Sequence, residues 1–251
     1  MADSGGVFVG GAWHEGDKMG YKTHDGIWHE IDKGYYKTFD GVWHECYSSG
    51  LVVSQLSIGS KVNVYSNRNG WTKYIAIQHN YNGTGRTLLT GERVYTDSDS
   101  FDSSSTWYEG STIDRIFNTP GRPFYDDLKQ SNIGKYIASV PIDSNGAKLN
   151  REIFPLSTTE LNTGATGEGN PIQYFQSDAS RIAYSRDGTT STDYWTRTRY
   201  SSSAVMYINQ IGSTARRSLP NYGTGMRIAF TVPATMPLNP QINANGAYDI
   251  L

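Results

Sequence analysis

The chain has 251 residues, a formal net charge of −2, and 27 Gly, 18 Tyr and 6 Trp. This length allows one sizeable domain with a smaller element, and the Gly- and Tyr-rich composition is typical of strands and loops. Without a long Lys/Arg run, a long apolar stretch or a signal-like start, the sequence argues against nucleic-acid and membrane partners and predicts assembly in the cytoplasm.

The first 46 residues contain one ten-residue phrase three times, at an interval of 15 residues. The clearest copies are "YKTHDGIWHE" and "YKTFDGVWHE", and "GVFVGGAWHE" is the most divergent. The Asp-Gly or Gly-Gly pair in each copy suits a two-residue type I′ loop, so each copy predicts a β-hairpin. With Asp40-Gly41 as the loop, Lys37 is expected to lie opposite His44.

These repeats predict a segment for attachment or oligomerisation. A lone hairpin is marginal in water, and a Trp side chain buries its roughly 150–250 Å² only when another surface covers it. We therefore expect the hairpins to stack on one another or on other chains. The histidines at 14, 29 and 44 are explained by the repetition, so no metal site is predicted there. The predicted attachment residues are Trp13, Trp28, Trp43, Phe39, Ile27 and Val42.

A linker is predicted at residues 47–54, a second domain at 55–240 and a C-terminal tail at 241–251. The segments "KVNVYS", "WTKYIAI" and "RTLLTGERVY" are typical of strands, and "STIDRIFN" and "PFYDDLKQ" have the apolar spacing of short helices. Ser157 and Glu160 have the spacing of a capping box, which predicts a further helical turn. Strands return from residue 192, so we expect an α+β domain with a β-rich core.

Several segments of the second domain resemble a known family. From about Leu56 to Pro237 the chain contains "IGSKV", "WTKYIAI", "RTLLT", "STIDRIFN", "IFPLSTTEL", "DYWTRTRYSSS" and "GTGMRIAFTV" in this order. They resemble a C-type-lectin-like domain of unknown function found in tail proteins of phages and prophages of Gram-positive bacteria. The N-terminal repeats are similar to the Gly-Val-Trp-Lys hairpin repeats of phage tail fibre and baseplate proteins, with His in place of Lys.

These resemblances imply a C-type-lectin-like domain preceded by three all-β hairpin repeats. They imply a virion protein of the tail fibre or baseplate that mediates attachment to the host cell surface. Its expected partners are a host cell-surface glycan or protein, other tail or baseplate proteins, and further copies of itself in a homo-oligomer, with a trimer expected.

The strand "GMRIAF" resembles the closing strand of C-type-lectin-like receptor-binding proteins that are diversified by retroelements, in which a variable polar stretch precedes it. The matching stretch, residues 199–222, is rich in Tyr, Ser, Asn and Arg, the residue types of paratopes. The alternative is that the stretch binds nothing and is polar only because a Gly/Ser-rich β-meander near a surface is always polar. The predicted ligand-binding residues are Arg199, Tyr200, Ser202, Tyr207, Asn209, Arg216, Arg217, Asn221 and Tyr222.

Strand alternation refines this stretch. It predicts that Val205 and Tyr207 share the face away from the core and that Ile208 faces the core. Arg216 and Arg217 are predicted to lie side by side on a loop, where they could hold an anionic sugar or a teichoic-acid phosphate, or could be solvated.

The sequence supports no catalytic or metal centre, so we expect a non-enzymatic protein without a cofactor. The fold resembles that of the formylglycine-generating oxidases, but these need paired cysteines, and the single Cys46 lies outside the domain. His79 is the one histidine in the domain, and the acidic "SDSFDSSS" lacks EF-hand spacing and is interpreted as a flexible loop. Trp195, Arg197 and Arg227 are interpreted as structural.

Two other functions compete with host attachment. One is a purely structural baseplate or decoration protein whose domain only packs against its neighbours. The other is a cell-wall hydrolase, for which the sequence offers no carboxylate pair that stands out.

Overall fold

The computed structural model describes the strand segments 19–22, 28–31, 33–37 and 43–48, and residues 50–251 apart from 165–167 and 220–222. The chain divides into two compact units, Met1–Leu51 and Val52–Leu251. The second unit is rich in strands and has a few short helices, which confirms the predicted α+β class.

The described residues of the first unit form two antiparallel hairpins, β1 (Met19–Lys22) with β2 (Trp28–Ile31) and β3 (Lys33–Lys37) with β4 (Trp43–Ser48). Each hairpin is a separate two-stranded sheet. Such small sheets bury little surface by themselves.

Next to their loops the two hairpins share one register, and it differs from the predicted one; in the second hairpin an irregularity between Gly34 and Tyr35 then shifts the pairing by one residue. Lys22 lies opposite Trp28, and Lys37 lies opposite Trp43. The prediction that Lys37 faces His44 is therefore wrong by one residue. An odd number of residues, 38–42, separates Lys37 from Trp43, so a two-residue loop does not fit this register.

The predicted attachment residues are only partly within the described segments. Trp28 and Trp43 are the first residues of β2 and β4. The remaining four, Trp13, Ile27, Phe39 and Val42, lie outside the described residues, as does the predicted loop of the first repeat.

The main sheet of the second unit has eight strands. They are β5 (Leu51–Val52), β6 (Lys61–Ser66), β7 (Gly70–Gln78), β8 (Arg86–Gly91), β12 (Ile153–Phe154), β19 (Ala229–Pro233), β20 (Pro237–Ile242) and β21 (Tyr248–Ile250). Their order is β12-β19-β8-β7-β6-β21-β20-β5. The interior strands β8 and β19 are buried along most of their length, and Leu88, Leu89, Phe230 and Val232 are all fully covered.

Both predicted ends of this domain require correction. Residues predicted as a linker belong to β4, to β5 and to a 3-10 turn at Val53–Gln55. The predicted tail contributes β21, which runs parallel to β6 and antiparallel to β20. Composition alone did not reveal this, because β5 and β21 have only two and three residues, too few for a strand pattern to be distinguished from loop sequence.

The helices are α1 (Thr112–Asn118), α2 (Pro123–Lys129) and α3 (Asp178–Arg181), with further 3-10 turns at Tyr81–Gly83 and Gly134–Tyr136. The first two confirm the predicted helices. Ser111 caps α1 by accepting the Asp114 N–H at 3.1 Å, and Pro123 begins α2. Ile113 and Phe117 on the inner side of α1 are fully buried.

The predicted helical turn at Ser157 forms only in part. The Ser157 N–H donates to Glu160 Oε2 at 3.0 Å, and the Glu160 N–H donates to Ser157 Oγ at 3.1 Å, so the capping box is present. The chain then makes a turn rather than a helix. Glu160 instead faces the core, where it pairs with Arg197.

A second sheet has five strands, β9 (Thr96–Asp99), β15 (Tyr194–Arg199), β16 (Ala204–Ile208), β17 (Thr214–Ser218) and β18 (Thr224–Met226). Their order is β17-β16-β15-β18-β9, which leaves β17 at an edge. Two small hairpins complete the unit, β10 (Val140–Ser144) with β11 (Ala147–Arg151) and β13 (Ala183–Tyr184) with β14 (Ser191–Thr192).

No helix within the described part of the chain has the length and apolar character needed to span a membrane.

Candidate ligand-binding surface

The predicted binding stretch forms the outer strands of the five-stranded sheet. Strand β16 pairs antiparallel with β15 and with β17, so that Tyr207 lies opposite Trp195 and Ala215. Because cross-strand partners point to the same side of a sheet, Arg199 and Arg217, both partners of Val205, share one face.

The β16–β17 turn is held by one of the predicted ligand residues. Asn209 Oδ1 accepts the N–H groups of Ile211 and Ser213 at 3.2 and 3.0 Å. Gly212 has a φ of +86°, and a Cβ at this position would lie 1.9 Å from the Asp178 carbonyl oxygen. Asn209 therefore shapes the turn, and its side-chain oxygen is already occupied.

Arg199 stacks on a tryptophan from a distant loop. Its guanidinium carbon lies 4.5 Å from the centre of the Trp107 ring, within the range of a cation–π contact. Arg199 Nε also donates to Thr106 Oγ1 and to the Ser201 carbonyl oxygen, each at 3.0 Å. Trp107 nevertheless remains 46% exposed, so part of its ring faces solvent.

A second arginine stacks on the tyrosine that follows Arg199. The Arg216 guanidinium lies 4.8 Å from the centre of the Tyr200 ring and donates from Nη1 to the Tyr200 hydroxyl. Tyr200 is 51% exposed, and Arg216 is exposed as well. Neither Arg199 nor Arg216 forms an ion pair with any residue in the described ranges.

Arg217 is bound more tightly to the protein itself. Its guanidinium lies 4.3 Å from the centre of the Tyr207 ring, and its Nη2 donates to Asp193 Oδ2 at 2.9 Å. Its Nη1 donates to Thr224 Oγ1, so three strands or their ends converge on one side chain. We infer that Arg217 holds the outer hairpin in place.

This geometry corrects the prediction for the arginine pair. Arg216 and Arg217 lie on strand β17, not on a loop. Neighbouring residues of a strand point to opposite faces, so the two guanidinium groups cannot form one fork for an anion. The prediction for Val205 is also wrong, since this residue is fully buried, whereas buried Ile208 agrees with the prediction.

We call the residues of the three stacked pairs the arginine–aromatic surface, and they are Trp107, Arg199, Tyr200, Tyr207, Arg216 and Arg217. This surface includes both faces of the outer hairpin, because Arg199 and Arg217 lie on one face and Arg216 on the other. Two of its rings are half exposed and two of its cations lack acidic partners among the described residues. A flat ring beside a planar, forked cation can pack against an apolar face and donate hydrogen bonds to acceptors at its rim. Of the other predicted ligand residues, Ser202 is exposed nearby, and Asn221 and Tyr222 lie outside the described residues.

The arginines interpreted as structural are indeed buried. Arg197 is fully covered and donates to Glu160 Oε2 at 2.6 Å and to the carbonyl oxygens of Asp143 and Pro155. Burial alone would lower the pKa of Arg197, but the adjacent Glu160 carboxylate outweighs this and raises it. Arg227 donates to the carbonyl oxygens of Gly91 and Arg181 at 2.7 and 2.9 Å.

The acidic segment at residues 98–105 stabilises the local structure through Asp102. Asp102 is 5% exposed and accepts the N–H groups of Ser104, Ser105 and Thr112 at 2.9, 3.0 and 2.8 Å. Burial acts to raise the pKa of Asp102, but these hydrogen bonds lower it below its ordinary value. The interpretation as a flexible loop is therefore wrong, and the loop that carries Trp107 is anchored to the start of α1.

His79 and the acidic residues show no clustering of metal ligands. His79 contacts the Thr87 hydroxyl and the Leu56 carbonyl oxygen at 3.0 and 2.8 Å, which fixes its ring inside the unit. Within the ranges that the structure covers, no group of three His, Cys, Asp or Glu residues is arranged to hold a metal ion.

Sequence reasoning missed one residue of this surface, Trp107, and one residue that supports it, Asp193. Trp107 lies in the polar segment that precedes the predicted helix "STIDRIFN", and no local pattern indicates that it meets Arg199. Asp193, the partner of Arg217, lies just before β15 and has no distinguishing sequence context. Both contacts depend on how distant segments are brought together.

Comparison with known proteins gives one match. Residues 84–234, more than half of the chain, match a family model described as a domain of unknown function (DUF6273). The matched residues include the whole arginine–aromatic surface. No curated protein and no solved structure matches the chain significantly.

Proposed function

Because the chain belongs to the DUF6273 family, whose description assigns no function, we propose one from the surface itself: the arginine–aromatic surface binds a glycan on a host cell. In this proposal the protein is a tail fibre or baseplate receptor-binding protein of a phage or phage-like particle. The second unit would have a C-type-lectin-like fold, for which its β-rich core and short helices give support.

One observation carries the binding proposal. Trp107 and Tyr200 are each about half exposed, at 46% and 51%, and each is stacked with an arginine. Aromatic residues and arginine are the side chains that most often dominate binding energies, and stacking fixes them before a ligand arrives. A ring face suits the apolar side of a sugar, because the ring is flat and gives broad contact at low entropic cost.

The charge of this surface indicates which glycans it would prefer. Arg217 is neutralised by Asp193 at 2.9 Å, whereas Arg199 and Arg216 have no acidic partner in the described part of the chain. Each of these cations favours a glycan with carboxylate or phosphate groups, such as a teichoic-acid polymer, and the two would contact such groups separately, because they lie on opposite faces of the sheet. Binding should therefore weaken as the salt concentration rises.

The test measures binding of the full chain to purified Gram-positive cell walls, with and without their teichoic acid. Trp107→Ala and Tyr200→Ala should each weaken binding by about tenfold or more, as expected for exposed aromatic residues at the centre of a contact. Trp71→Ala is the matched control, since Trp71 is 56% exposed but belongs to β7 of the other sheet. Wild-type affinity in both test variants would refute the proposed surface and favour a purely structural role in the particle.

The first unit has a separate role in this proposal. We infer that its hairpins mount the second unit on the particle and assemble the chain into a homo-oligomer, with a trimer expected. The support is that two-stranded hairpins are marginal alone and need a covering surface. Light scattering on the full chain should give three times the monomer mass, and removal of residues 1–46 should give a monomer. A monomeric full chain would contradict this role.

A further inference from the structure

The two arginines without acidic partners among the described residues lie near the β15–β16 turn, on opposite faces of the sheet. Arg199 is the last residue of β15 and shares a face with Arg217, and Arg216 points to the other face. Tyr200, which follows Arg199 directly, contacts Arg216 on that second face, with the guanidinium 4.8 Å from the centre of its ring. One anionic group therefore cannot meet both guanidinium groups.

Each of these arginines keeps hydrogen-bond donors that solvent can reach. Arg199 forms its hydrogen bonds through Nε, so its Nη1 and Nη2 atoms have no partner in the described part of the chain. Neither atom is buried, since the buried side-chain atoms without a partner do not include them. Arg216 is exposed and uses Nη1 for the Tyr200 hydroxyl, which leaves Nε and Nη2. A carboxylate or a phosphate group can accept two hydrogen bonds from such a guanidinium.

A turn of three serines connects the two faces. Ser201–Ser203 lie between β15 and β16, and Ser202 and Ser203 are exposed. The Ser203 N–H donates to Ser201 Oγ at 3.2 Å, which closes the turn. The Ser202 hydroxyl has no hydrogen-bond partner within the described ranges. The side chains at the crossing are therefore small, and a hydroxyl there is available to a molecule that lies across the turn.

The separation of the two guanidinium groups determines which kind of ligand reaches both. Side chains on opposite faces of one sheet lie on either side of its backbone, roughly 10 Å apart. A single sugar with one anionic group can occupy only one of the two positions. A flexible polymer with an anionic group on each repeat can place one group on Arg199 and another on Arg216. The second contact then forms at a high effective concentration, so the polymer binds more tightly than its repeat.

We propose that the arginine–aromatic surface recognises a flexible anionic polymer, which crosses the β15–β16 turn and is held on both faces. This inference rests on the proposed function and adds a requirement to it, since the ligand must contain several repeats with carboxylate or phosphate groups on at least two of them. Trp107 and Tyr200 would pack against the repeats next to Arg199 and Arg216. The terminal nitrogens of Arg217 are already bonded to Asp193 and Thr224, so they supply no donor.

Isothermal titration calorimetry of the full chain measures this requirement. The probes are oligomers of glycerol phosphate and of galacturonic acid, each from a single repeat to about eight repeats, at low salt concentration. The single repeats should bind weakly, one on each face. An oligomer long enough to cross the turn should bind as one molecule per chain and at least about tenfold more tightly than its single repeat. Comparison of the two series shows whether phosphate or carboxylate is the preferred group.

Variants test whether both faces act on one ligand. Arg199→Gln and Arg216→Gln should each lower the affinity of the long oligomer by about tenfold, and each should abolish binding of the single repeat only on its own face. Ser202→Asp places a negative charge on the turn without changing either arginine, and it should weaken binding of the long oligomer more than that of the single repeat. Arg122→Gln is the matched control, because Arg122 is exposed, has no ion pair with a described residue and directly precedes α2.

The outcomes separate this inference from the proposed function. Oligomers that bind no more tightly than single repeats, or a long oligomer whose affinity is insensitive to one of the two arginines, would refute the crossing and leave the proposed function in place. An unchanged affinity of the long oligomer for the Ser202→Asp variant would refute the route over the turn. No binding of any probe to the wild-type chain would overturn both the inference and the proposed function.

Discussion

Replacement of Glu160 by Gln removes the negative charge that is paired with Arg197, a fully buried arginine of the second unit. Arg197 Nη1 and Glu160 Oε2 are 2.6 Å apart, and the two side chains are 0% and 1% exposed. Arg197 Nη2 already lacks a hydrogen-bond partner in the described part of the chain. No solvent reaches this position to compensate for the lost charge.

The size of the effect follows from this burial. Removal of one partner of a buried ion pair leaves the other charge uncompensated and typically costs about 3–5 kcal/mol. Glu160 also accepts from the Tyr81 hydroxyl at 2.6 Å and from the Ser157 N–H at 3.0 Å. The Gln side chain has only one acceptor oxygen, so at least one of these bonds is weakened in addition, at about 1 kcal/mol.

Urea unfolding of the full chain measures the change. With a slope of about 2 kcal/mol per molar, a loss of about 3–5 kcal/mol lowers the midpoint by roughly 1.5–2.5 M. Glu92→Gln serves as the control, because its ion pair with Lys61 is partly exposed and should contribute at most about 1 kcal/mol. If Glu160→Gln changed the midpoint no more than Glu92→Gln, the buried pair would not stabilise the fold as argued.

Two further predictions concern the pH dependence of stability and the helix cap. Burial raises the pKa of Glu168 above its ordinary value of 4.5, even though Arg197 acts in the opposite direction. The folded state therefore holds this proton more tightly than the unfolded state, and stability falls as the pH rises through that window. Glu168→Gln should remove this fall. The free energy of unfolding of the variant minus that of the wild type should therefore increase from about pH 4 to about pH 7. A difference that stays constant with pH would contradict the argument. Ser111→Ala removes the acceptor of the Asp114 N–H and should cost about 1 kcal/mol in the same assay, and an unchanged midpoint would contradict the capping role.

Features set by local chemistry could be predicted from the sequence. The helix at residues 112–118 was recognisable from its Ser cap, from Ile113 and Phe117 one turn apart, and from the proline that follows. Arg197 and Trp195 were interpreted as structural because each lies in a segment that resembles a family motif, and both are fully buried. These signals extend over a few residues, which is the distance at which sequence patterns act.

The register of the hairpins could not be predicted from local sequence. An Asp-Gly pair fits a two-residue type I′ loop, and it also fits a longer loop with Gly in the left-handed region. The two loops differ by one residue in strand pairing, which moves every side chain to the other face. The ten-residue phrase contains nothing that distinguishes them, and the observed pairing of Lys37 with Trp43 decides it.

The candidate surface could be located but not assembled from the sequence. The stretch 199–218 was singled out by its Tyr, Ser and Arg content, yet the stacking partner of Arg199 is Trp107, from a loop far away in the chain. Arginines of this domain have different environments, since Arg197 is buried and Arg216 is exposed. Burial and partner are tertiary properties, so no neighbouring residue indicates them.

The position of the surface at a sheet edge invites a different physical explanation, which must be separated from binding. Edge strands carry charged residues to prevent pairing with other chains, and β17 is an edge strand with Arg216 and Arg217. This explanation requires only that the side chains on β17 are charged, and it applies only to residues of that edge strand. Arg199 lies on β15, an interior strand, and its stack on half-exposed Trp107 has no part in guarding an edge. Trp107→Ala is therefore the more decisive of the two surface variants, because a loss of binding there cannot be attributed to an altered sheet edge.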